Sequence, residues 1–137
     1  REFDIEGSDF TSAGMVSTEV RATLKKIGFE RDFIRRIAIS MYESEMNVVM
    51  HADDARVELE VTPATVRIEI ADRGKGIADI EQAMQPGFTT STDEMRALGF
   101  GAGMGLPNIK KNSDEFDIES TVGKGTTLRM SWHVGRS

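Results

Sequence analysis

The sequence contains no cysteine, and its 137 residues include only two histidines, His51 and His133. Without cysteine the chain forms no disulfide framework, thiol nucleophile or cysteine-ligated zinc site, and two histidines are too few for a histidine-rich metal centre. No apolar run reaches the roughly 18 residues of a membrane span, and no signal-peptide pattern opens the chain. We therefore expect a cytoplasmic protein with no membrane span.

The chain is acidic, with a formal net charge of −6, and 39% of its residues are hydrophobic and 29% charged. This length and composition are typical of one globular domain over residues 1–137, with enough apolar residues for a core. The acidic balance argues against nonspecific nucleic-acid binding. Because the first residue is Arg1 rather than Met, we expect a piece excised from a longer protein.

Hydrophobic periodicity predicts the order strand, helix, helix, strand, strand, loop, helix, strand, strand. The predicted strands are 2–6, 55–62, 66–70, 115–120 and 126–134, and the predicted helices are 11–26, 31–50 and 106–112. The first helix is expected to be capped by Asp9 or Thr11 and to bury Val16, Val20, Leu24 and Ile27. Asp53 and Asp54 are expected to end the second. This order predicts an α+β two-layer sandwich, with a mixed, mostly antiparallel sheet covered on one face by helices.

Glu43 and Asn47 lie four residues apart on the second helix, so they occupy one face of it. An acid and an amide one turn apart can hold a divalent cation and orient a water or hydroxyl. The alternative is a solvated polar face, which is common for such a pair. Glu45 is expected to point toward the apolar side of the helix.

Seven of the thirteen glycines lie between Asp72 and Gly105. After a predicted strand, the segment 72–77 (DRGKGI) offers a carboxylate to an exocyclic amine such as that of adenine, although Asp and Gly also form plain turns. The segment 99–105 (GFGAGMG) opens a helix and exposes backbone N–H groups suited to phosphate, although a flexible hinge is the alternative. The segment 123–127 (GKGTT) reads as a hairpin turn with a hydroxyl that can hold water against a base.

Taken in order, these four segments resemble the N, G1, G2 and G3 boxes of the GHKL (Bergerat-fold) ATPases, which include gyrase B, Hsp90, histidine kinases and MutL. The boxes span residues 43–127. Within the superfamily the chain is similar to the serine/threonine kinases and anti-sigma factors of bacterial partner switching. The segments 85–90 (QPGFTT) and 114–127 resemble the RsbT-like branch.

The resemblance implies ATP and Mg²⁺ as ligands and a role for each matching residue. Asn47 would ligate Mg²⁺, and Glu43 would be the general base that takes the proton of a serine hydroxyl. Asp72 would bind the adenine amino group, with Gly76 lining the ring and Thr127 near it. The remaining cofactor-binding residues would be Gly74, Ile77, Thr89, Thr90, Gly101, Ala102, Gly103, Met104, Gly105 and Leu106, under a lid of about 85–104.

The resemblance implies a serine/threonine protein kinase that phosphorylates a small STAS-like antagonist protein. An anti-sigma factor that sequesters a sigma subunit is the main alternative, and relatives often form homodimers. The ATP-binding domain of a histidine kinase would need an upstream dimerisation helix with a phosphoacceptor histidine. A catalytically inactive ATP sensor is disfavoured because both Glu43 and Asn47 are present.

Overall fold

A computed structural model describes residues 1–7, 9, 11–77, 79–84 and 105–135. Their elements follow the predicted order, with one additional short helix in the predicted loop. The elements are β1 (Glu2–Glu6), α1 (Met15–Ile27), α2 (Arg31–His51), β2 (Ala52–Val61), β3 (Thr65–Gly74), α3 (Ile80–Ala83), α4 (Gly105–Lys111), β4 (Glu115–Thr121) and β5 (Gly125–His133). None of these helices is long and apolar enough to cross a membrane.

The strands form one five-stranded sheet in the order β1-β2-β3-β5-β4. Every neighbouring pair in it is antiparallel, and the two predicted hairpins, β2–β3 and β4–β5, are both present. This confirms the predicted α+β fold with helices packed on one face of a sheet, but the sheet in the described residues is fully antiparallel rather than mixed, because hairpins and antiparallel neighbours account for every pair. Because β3 and β5 are central neighbours, the loops that follow β3 and precede β5 meet at one end of the sheet.

The core lies between the sheet and the helices, and strand alternation supplies its sheet side. Val66, Ile68 and Ile70 of β3 are at most 1% exposed, and Trp132 of β5 is fully buried. The Trp132 indole N–H donates a 2.6 Å hydrogen bond to the Asn112 carbonyl oxygen at the end of α4. On the helix side, α2 buries one face at spacings of three and four residues, which comprises Phe33, Ile37, Met41, Ser44 and Val48. The helix that carries Glu43 and Asn47 is therefore firmly packed on the sheet.

The start of α1 differs from the prediction. The helix begins at Met15 after Gly14, and neither Asp9 nor Thr11 caps it. The Asp9 carboxylate instead accepts a 3.2 Å hydrogen bond from the Ser12 N–H within the preceding turn. The helix start is held by Glu45 of α2, a contact between residues distant in sequence that local capping rules do not reveal.

Two further expectations at element ends were wrong. Ile27 is 52% exposed, because α1 ends there and Gly28 adopts a left-handed conformation that turns the chain away. Asp53 and Asp54 belong to β2, which begins directly after α2. The Asp53 carbonyl accepts a 2.8 Å hydrogen bond from Gly7, so pairing with the segment after β1 outweighs the turn preference of Asp.

The other face of the sheet is charged and exposed. Along β5, Arg129 lies within 3.2 Å of both Glu69 of β3 and Asp117 of β4. Exposed ion pairs of this kind add little to stability. The helices pack on the opposite, apolar face of the sheet, and the candidate site lies on that helix-covered side.

Candidate functional site

Glu43 and Asn47 lie one turn apart near the C-terminal end of α2, as the spacing predicts. Both side chains are directed toward α4, where Glu43 contacts Asn108 and Asn47 contacts Gly105. Helix α2 packs against both α1 and α4. The acid and the amide are therefore held beside the start of the helix that follows the glycine-rich segment.

Glu43 is half-buried beside α4. Burial raises the pKa of its carboxyl above the ordinary 4.5, and a hydrogen bond from the Asn108 side chain acts in the opposite direction. A carboxylate with a raised pKa is a stronger proton acceptor than an exposed one. This environment suits a residue that removes a proton from a hydroxyl group.

Asn47 faces the backbone of Gly105 at the first residue of α4. A Cβ atom at position 105 would lie 3.1 Å from the Asn47 Oδ1 atom and 3.5 Å from its Nδ2 atom. Any larger residue would therefore press on the amide, which explains why glycine is suited to this position. The structure therefore places Asn47 beside the last glycine of the 99–105 segment, a contact that the sequence did not predict.

Asp72 lies near the end of β3 and faces the helices, as does its neighbour Ile70 two residues before. Its Oδ1 atom accepts a 2.9 Å hydrogen bond from the Thr126 N–H. Burial raises the pKa of Asp72 above its ordinary value, while that hydrogen bond lowers it and the charge of Asp54 raises it. The second carboxylate oxygen carries no bond among the described residues and can accept one from an exocyclic amine.

Gly125 allows β5 to approach Asp72. Its φ is +148°, and a Cβ there would lie 2.1 Å from the Asp72 carbonyl oxygen. Residues with a side chain rarely adopt that backbone conformation. Glycine is therefore required at position 125 both for its φ value and for the close contact with Asp72. The start of β5 at Gly125 therefore packs directly against Asp72.

A hydroxyl pair joins the loop after β3 to the hairpin of β4 and β5. The Ile77 N–H donates a 2.7 Å hydrogen bond to Ser120 Oγ, which lies 2.8 Å from Thr126 Oγ1. Gly76 has a φ of +75°, and a Cβ on it would lie 2.4 Å from the Thr121 carbonyl oxygen. The Asp72–Ile77 loop is therefore fixed against the hairpin as a small rigid wall.

Gly74 connects this wall to α2. A Cβ there would lie 3.1 Å from the His51 carbonyl oxygen and 3.0 Å from the Ala52 Cα. Burial lowers the pKa of His51, as does the nearby positive charge of Lys75. His51 lies one turn after Asn47 at the end of α2. The loop that follows Asp72 therefore approaches the end of the helix that carries Glu43 and Asn47.

Some predicted residues lie elsewhere. Thr127 pairs with Ala71 and Glu119. Because successive side chains of β5 lie on opposite faces of the sheet, Thr127 lies on the solvent-facing side and Thr126 on the helix-covered side. The structure therefore does not bring Thr127 beside Asp72. Leu106 is 8% exposed and belongs to the core cluster. The predicted residues Thr89, Thr90, Gly101, Ala102, Gly103 and Met104, and most of the predicted lid, fall outside the described residues.

Sequence reasoning missed Asn108, Ser120 and Thr126. The buried positions Leu128, Met130 and Trp132 have the same parity as Thr126, so the sequence held a signal for Thr126. Ser120 and Thr126 are direct partners in the β4–β5 pairing, which follows from the hairpin register. Asn108 had no such signal, because its contact depends on how α4 packs on α2.

The described residues contain no group of three or more His, Asp or Glu placed to hold a metal ion. Mg²⁺ often binds proteins through one or two oxygen ligands while substrate phosphates and waters complete its shell. The Asn47 amide oxygen beside the backbone of Gly105 is a donor of that kind. The side chains present fit a cation brought with a nucleotide rather than one in an all-protein cage.

Comparison with known proteins shows which proteins this chain resembles. The family model of the histidine kinase-like ATPase domain matches residues 8–132. An anti-sigma F factor of Caldanaerobacter subterraneus subsp. tengcongensis is 38% identical over 109 residues, covering 76% of this chain and 73% of that protein. The serine/threonine-protein kinase RsbT of Bacillus subtilis is 31% identical over 117 residues, covering 82% of each chain.

A solved structure shares the fold. The crystal structure of the RsbU and RsbW domains of Rv1364c from Mycobacterium tuberculosis superposes with a TM-score of 0.63 at 19% sequence identity. The match covers all of this chain and 33% of that larger one. At this identity the likeness concerns the fold alone.

Proposed function

The chain belongs to the histidine kinase-like ATPase family, and we propose that it is an ATP-dependent serine/threonine kinase of the partner-switching type. Its substrate would be a serine hydroxyl on a small STAS-like antagonist protein. The observation that carries this proposal is the turn of α2 with Glu43 against Asn108 and Asn47 against Gly105. One side chain is suited to accept a proton and the other to hold the phosphate-bound cation.

Glu43 is proposed as the general base. Phosphoryl transfer depends mainly on positioning and charge stabilisation, and the acceptor hydroxyl must also lose its proton. The half-buried carboxylate lies beside a cavity of about 770 Å³ lined by residues of α1, α2 and α4. A serine that enters this cavity could donate its proton to Glu43 while its oxygen faces the nucleotide.

Asp72 and the loop after it are proposed to bind adenine. The second Asp72 oxygen would accept a hydrogen bond from the exocyclic amine, and the Gly74–Ile77 backbone would contact the base. Thr126, rather than Thr127, is proposed to assist, because its N–H donates to Asp72 and its hydroxyl lies beside Ser120, whose hydroxyl accepts the Ile77 N–H. The bond from the Thr126 N–H keeps the Asp72 carboxylate oriented.

Asn47 is proposed to hold Mg²⁺ together with the nucleotide phosphates, beside the backbone of Gly105. When bound, the cation would neutralise charge on the transferred phosphoryl group. The protein residues orient the phosphates and keep the hydroxyl in line, with Gly101 and Gly103 proposed as further phosphate contacts.

Sequestration of a sigma subunit is the second candidate, favoured by the 38% identity to an anti-sigma F factor. The same domain could bind a sigma subunit in one state and phosphorylate an antagonist in another. The two activities differ in their products, because sequestration leaves a stoichiometric complex and transfer leaves a phosphoserine.

The test is affinity capture of partners from the source cell with Mg-ATP present, followed by phosphosite mapping. A phosphoserine on a STAS-like protein that disappears with the Glu43→Ala chain supports the kinase. A stoichiometric complex with a sigma subunit and no phosphoserine on any captured partner would overturn it in favour of sequestration. Glu19→Ala, a change of an exposed glutamate on α1, is the matched control and should behave like the unaltered chain.

A further inference from the structure

Glu45 is a buried carboxylate to which the proposed chemistry gives no role. It is 2% exposed and lies midway between Glu43 and Asn47 on α2. A buried carboxylate costs free energy unless hydrogen bonds compensate for its lost hydration. The bonds that compensate here all come from the start of α1.

The Glu45 carboxylate accepts four hydrogen bonds. Its Oε2 atom receives the N–H groups of Gly14 at 3.1 Å and Val16 at 3.2 Å. Its Oε1 atom receives the N–H of Ser17 at 2.9 Å and the hydroxyl of Ser17 at 2.7 Å. Every one of these donors belongs to the entry or first turn of one helix.

Helix α1 has no cap of its own. The N-cap residue, Gly14, has a left-handed backbone and no side chain with which to cap the helix. The first turn of α1 contains no acidic residue. The first N–H groups of a helix have no partner within the helix, and an anion beside them is favourable. Glu45 supplies both the acceptor atoms and the negative charge from a different helix.

The turn that Glu45 holds is a wall of the cavity beside Glu43. Gly14, Met15, Ser17 and Thr18 line this cavity from α1, and Glu43 lines it from α2. Tyr42 lies beside the same turn, because a Cβ at Gly14 would be 3.6 Å from its ring. A shift of the first turn of α1 would change the space through which a hydroxyl reaches Glu43.

We propose that Glu45 is a positioning residue, whose carboxylate fixes the first turn of α1 so that the cavity beside Glu43 fits the protein acceptor. This role rests on the proposed kinase function. It makes Glu45 a residue that determines the affinity of the proposed site for the protein acceptor. Glu45 touches neither the acceptor nor the nucleotide. Its effect reaches the site through the position of Gly14–Thr18.

The first experiment measures amide hydrogen exchange in the full chain and its Glu45→Gln variant. The amide group replaces one acceptor oxygen with a donor, so one pair of α1 donors loses its partner. We expect exchange to accelerate about tenfold or more at Val16 if the amide nitrogen replaces Oε2, or at Ser17 if it replaces Oε1, since a lost bond to a charged acceptor corresponds to at least that factor. Exchange in β3 and β5 should stay within about twofold. Unchanged exchange at Val16 and Ser17 would overturn the proposal.

The second experiment compares kinetics with a recombinant STAS-domain antagonist as acceptor. For Glu45→Gln we expect the KM for the acceptor to rise about tenfold, with kcat and ATP affinity within about threefold. Ser17→Ala removes one donor and keeps the carboxylate, so it should give a smaller rise and serves if Glu45→Gln does not fold. Val20→Ala removes a fully buried α1 side chain without touching this network and should leave the KM unchanged.

The outcomes separate the positioning role from the kinase function. A rise in KM for Val20→Ala equal to that for Glu45→Gln would show a general loss of stability and overturn the positioning role. An unchanged KM for Glu45→Gln would also overturn it. If the unaltered chain binds ATP but transfers no phosphate to any acceptor, the kinase proposal and the acceptor role fail together, whereas faster exchange would still uphold the capping contact.

Discussion

The main-chain N–H of Thr126 donates a 2.9 Å hydrogen bond to a carboxylate oxygen of Asp72. This bond joins two residues that are 54 positions apart, one near the end of β3 and the other at the start of β5. Gly125 makes the approach possible, since a side chain there would collide with the Asp72 backbone. One Asp72 oxygen is thereby fixed by the fold, and the other accepts no hydrogen bond among the described residues.

Replacing this carboxylate by an amide tests the role of Asp72 in nucleotide selection. In Asp72→Asn the amide can rotate its N–H₂ group toward the base, so we expect ATP affinity to fall about tenfold and the preference for ATP over GTP to shrink. Calorimetric titration with both nucleotides measures this. Asp4→Asn, a change of an exposed residue on β1, is the control. Equal selectivity in Asp72→Asn and the unaltered chain would exclude Asp72 from the base pocket.

Asn47→Ala tests cation binding. We expect its affinity for ATP in the presence of Mg²⁺ to fall about tenfold, because the proposed oxygen ligand of the cation is lost. Affinity measured with a chelator should change little, because the phosphate and adenine contacts do not require the amide. An equal fall with and without Mg²⁺ would indicate that Asn47 supports the pocket by another route.

The pH dependence of phosphoryl transfer follows from the environment of Glu43. Burial raises its pKa above 4.5, and only the deprotonated form accepts a proton, so the rate should fall as pH decreases through that raised value. The Asn108 hydrogen bond lowers the pKa, so Asn108→Ala should move the midpoint of the acid limb to higher pH. A pH–rate profile of both chains under saturating ATP measures the shift. A midpoint that stays in place or moves to lower pH would contradict this role for Asn108.

Acid stability should depend on Asp114, which ties α2 to β5. Its carboxylate accepts a 2.6 Å hydrogen bond from Arg36 and a 2.7 Å one from the His133 N–H. Burial raises the pKa of Asp114, but these bonds and the charges of Arg36 and His133 outweigh burial, so the pKa lies below 3.8. A lowered folded-state pKa means that the stabilisation is complete above 3.8 and is lost as pH falls through the folded value.

The corresponding variant is Asp114→Asn. Near neutral pH we expect its free energy of unfolding to be lower by about 1–3 kcal/mol, because bonds to a charged acceptor are weakened. The difference from the unaltered chain should disappear in acid. Urea denaturation across this pH range measures it, with the exposed Asp117→Asn as control. A difference that persists unchanged in acid would contradict the assigned pKa direction.

The sequence predicts the elements and the Glu43–Asn47 pair because these depend on local spacing. It also predicts that Glu45 points toward the buried side of α2, which is confirmed. It does not predict the start of α1, because the acceptor of the first N–H groups comes from a residue about 30 positions away. The family resemblance indicates Thr127, whereas the alternation of β5 places Thr126 on the buried side, so the sequence pattern itself distinguishes the two residues.

The contact of Asn108 with Glu43 belongs to the class that periodicity cannot supply. Asn108 is one turn into α4, and the side that faces α2 depends on the packing angle between the two helices. For the same reason, the close contact between Gly105 and Asn47 cannot be predicted from sequence periodicity. Tertiary packing decides both.

The most direct test of the central claim compares Glu43→Gln with the unaltered chain for ATP affinity and for phosphate transfer to a STAS-domain antagonist. Loss of the proposed base should reduce transfer by about 100-fold or more, while ATP affinity stays within about threefold, because a base at this position would act on the acceptor and not on the nucleotide. Transfer at the unaltered rate, or an equal loss of ATP affinity, would contradict the assignment of Glu43 as the base.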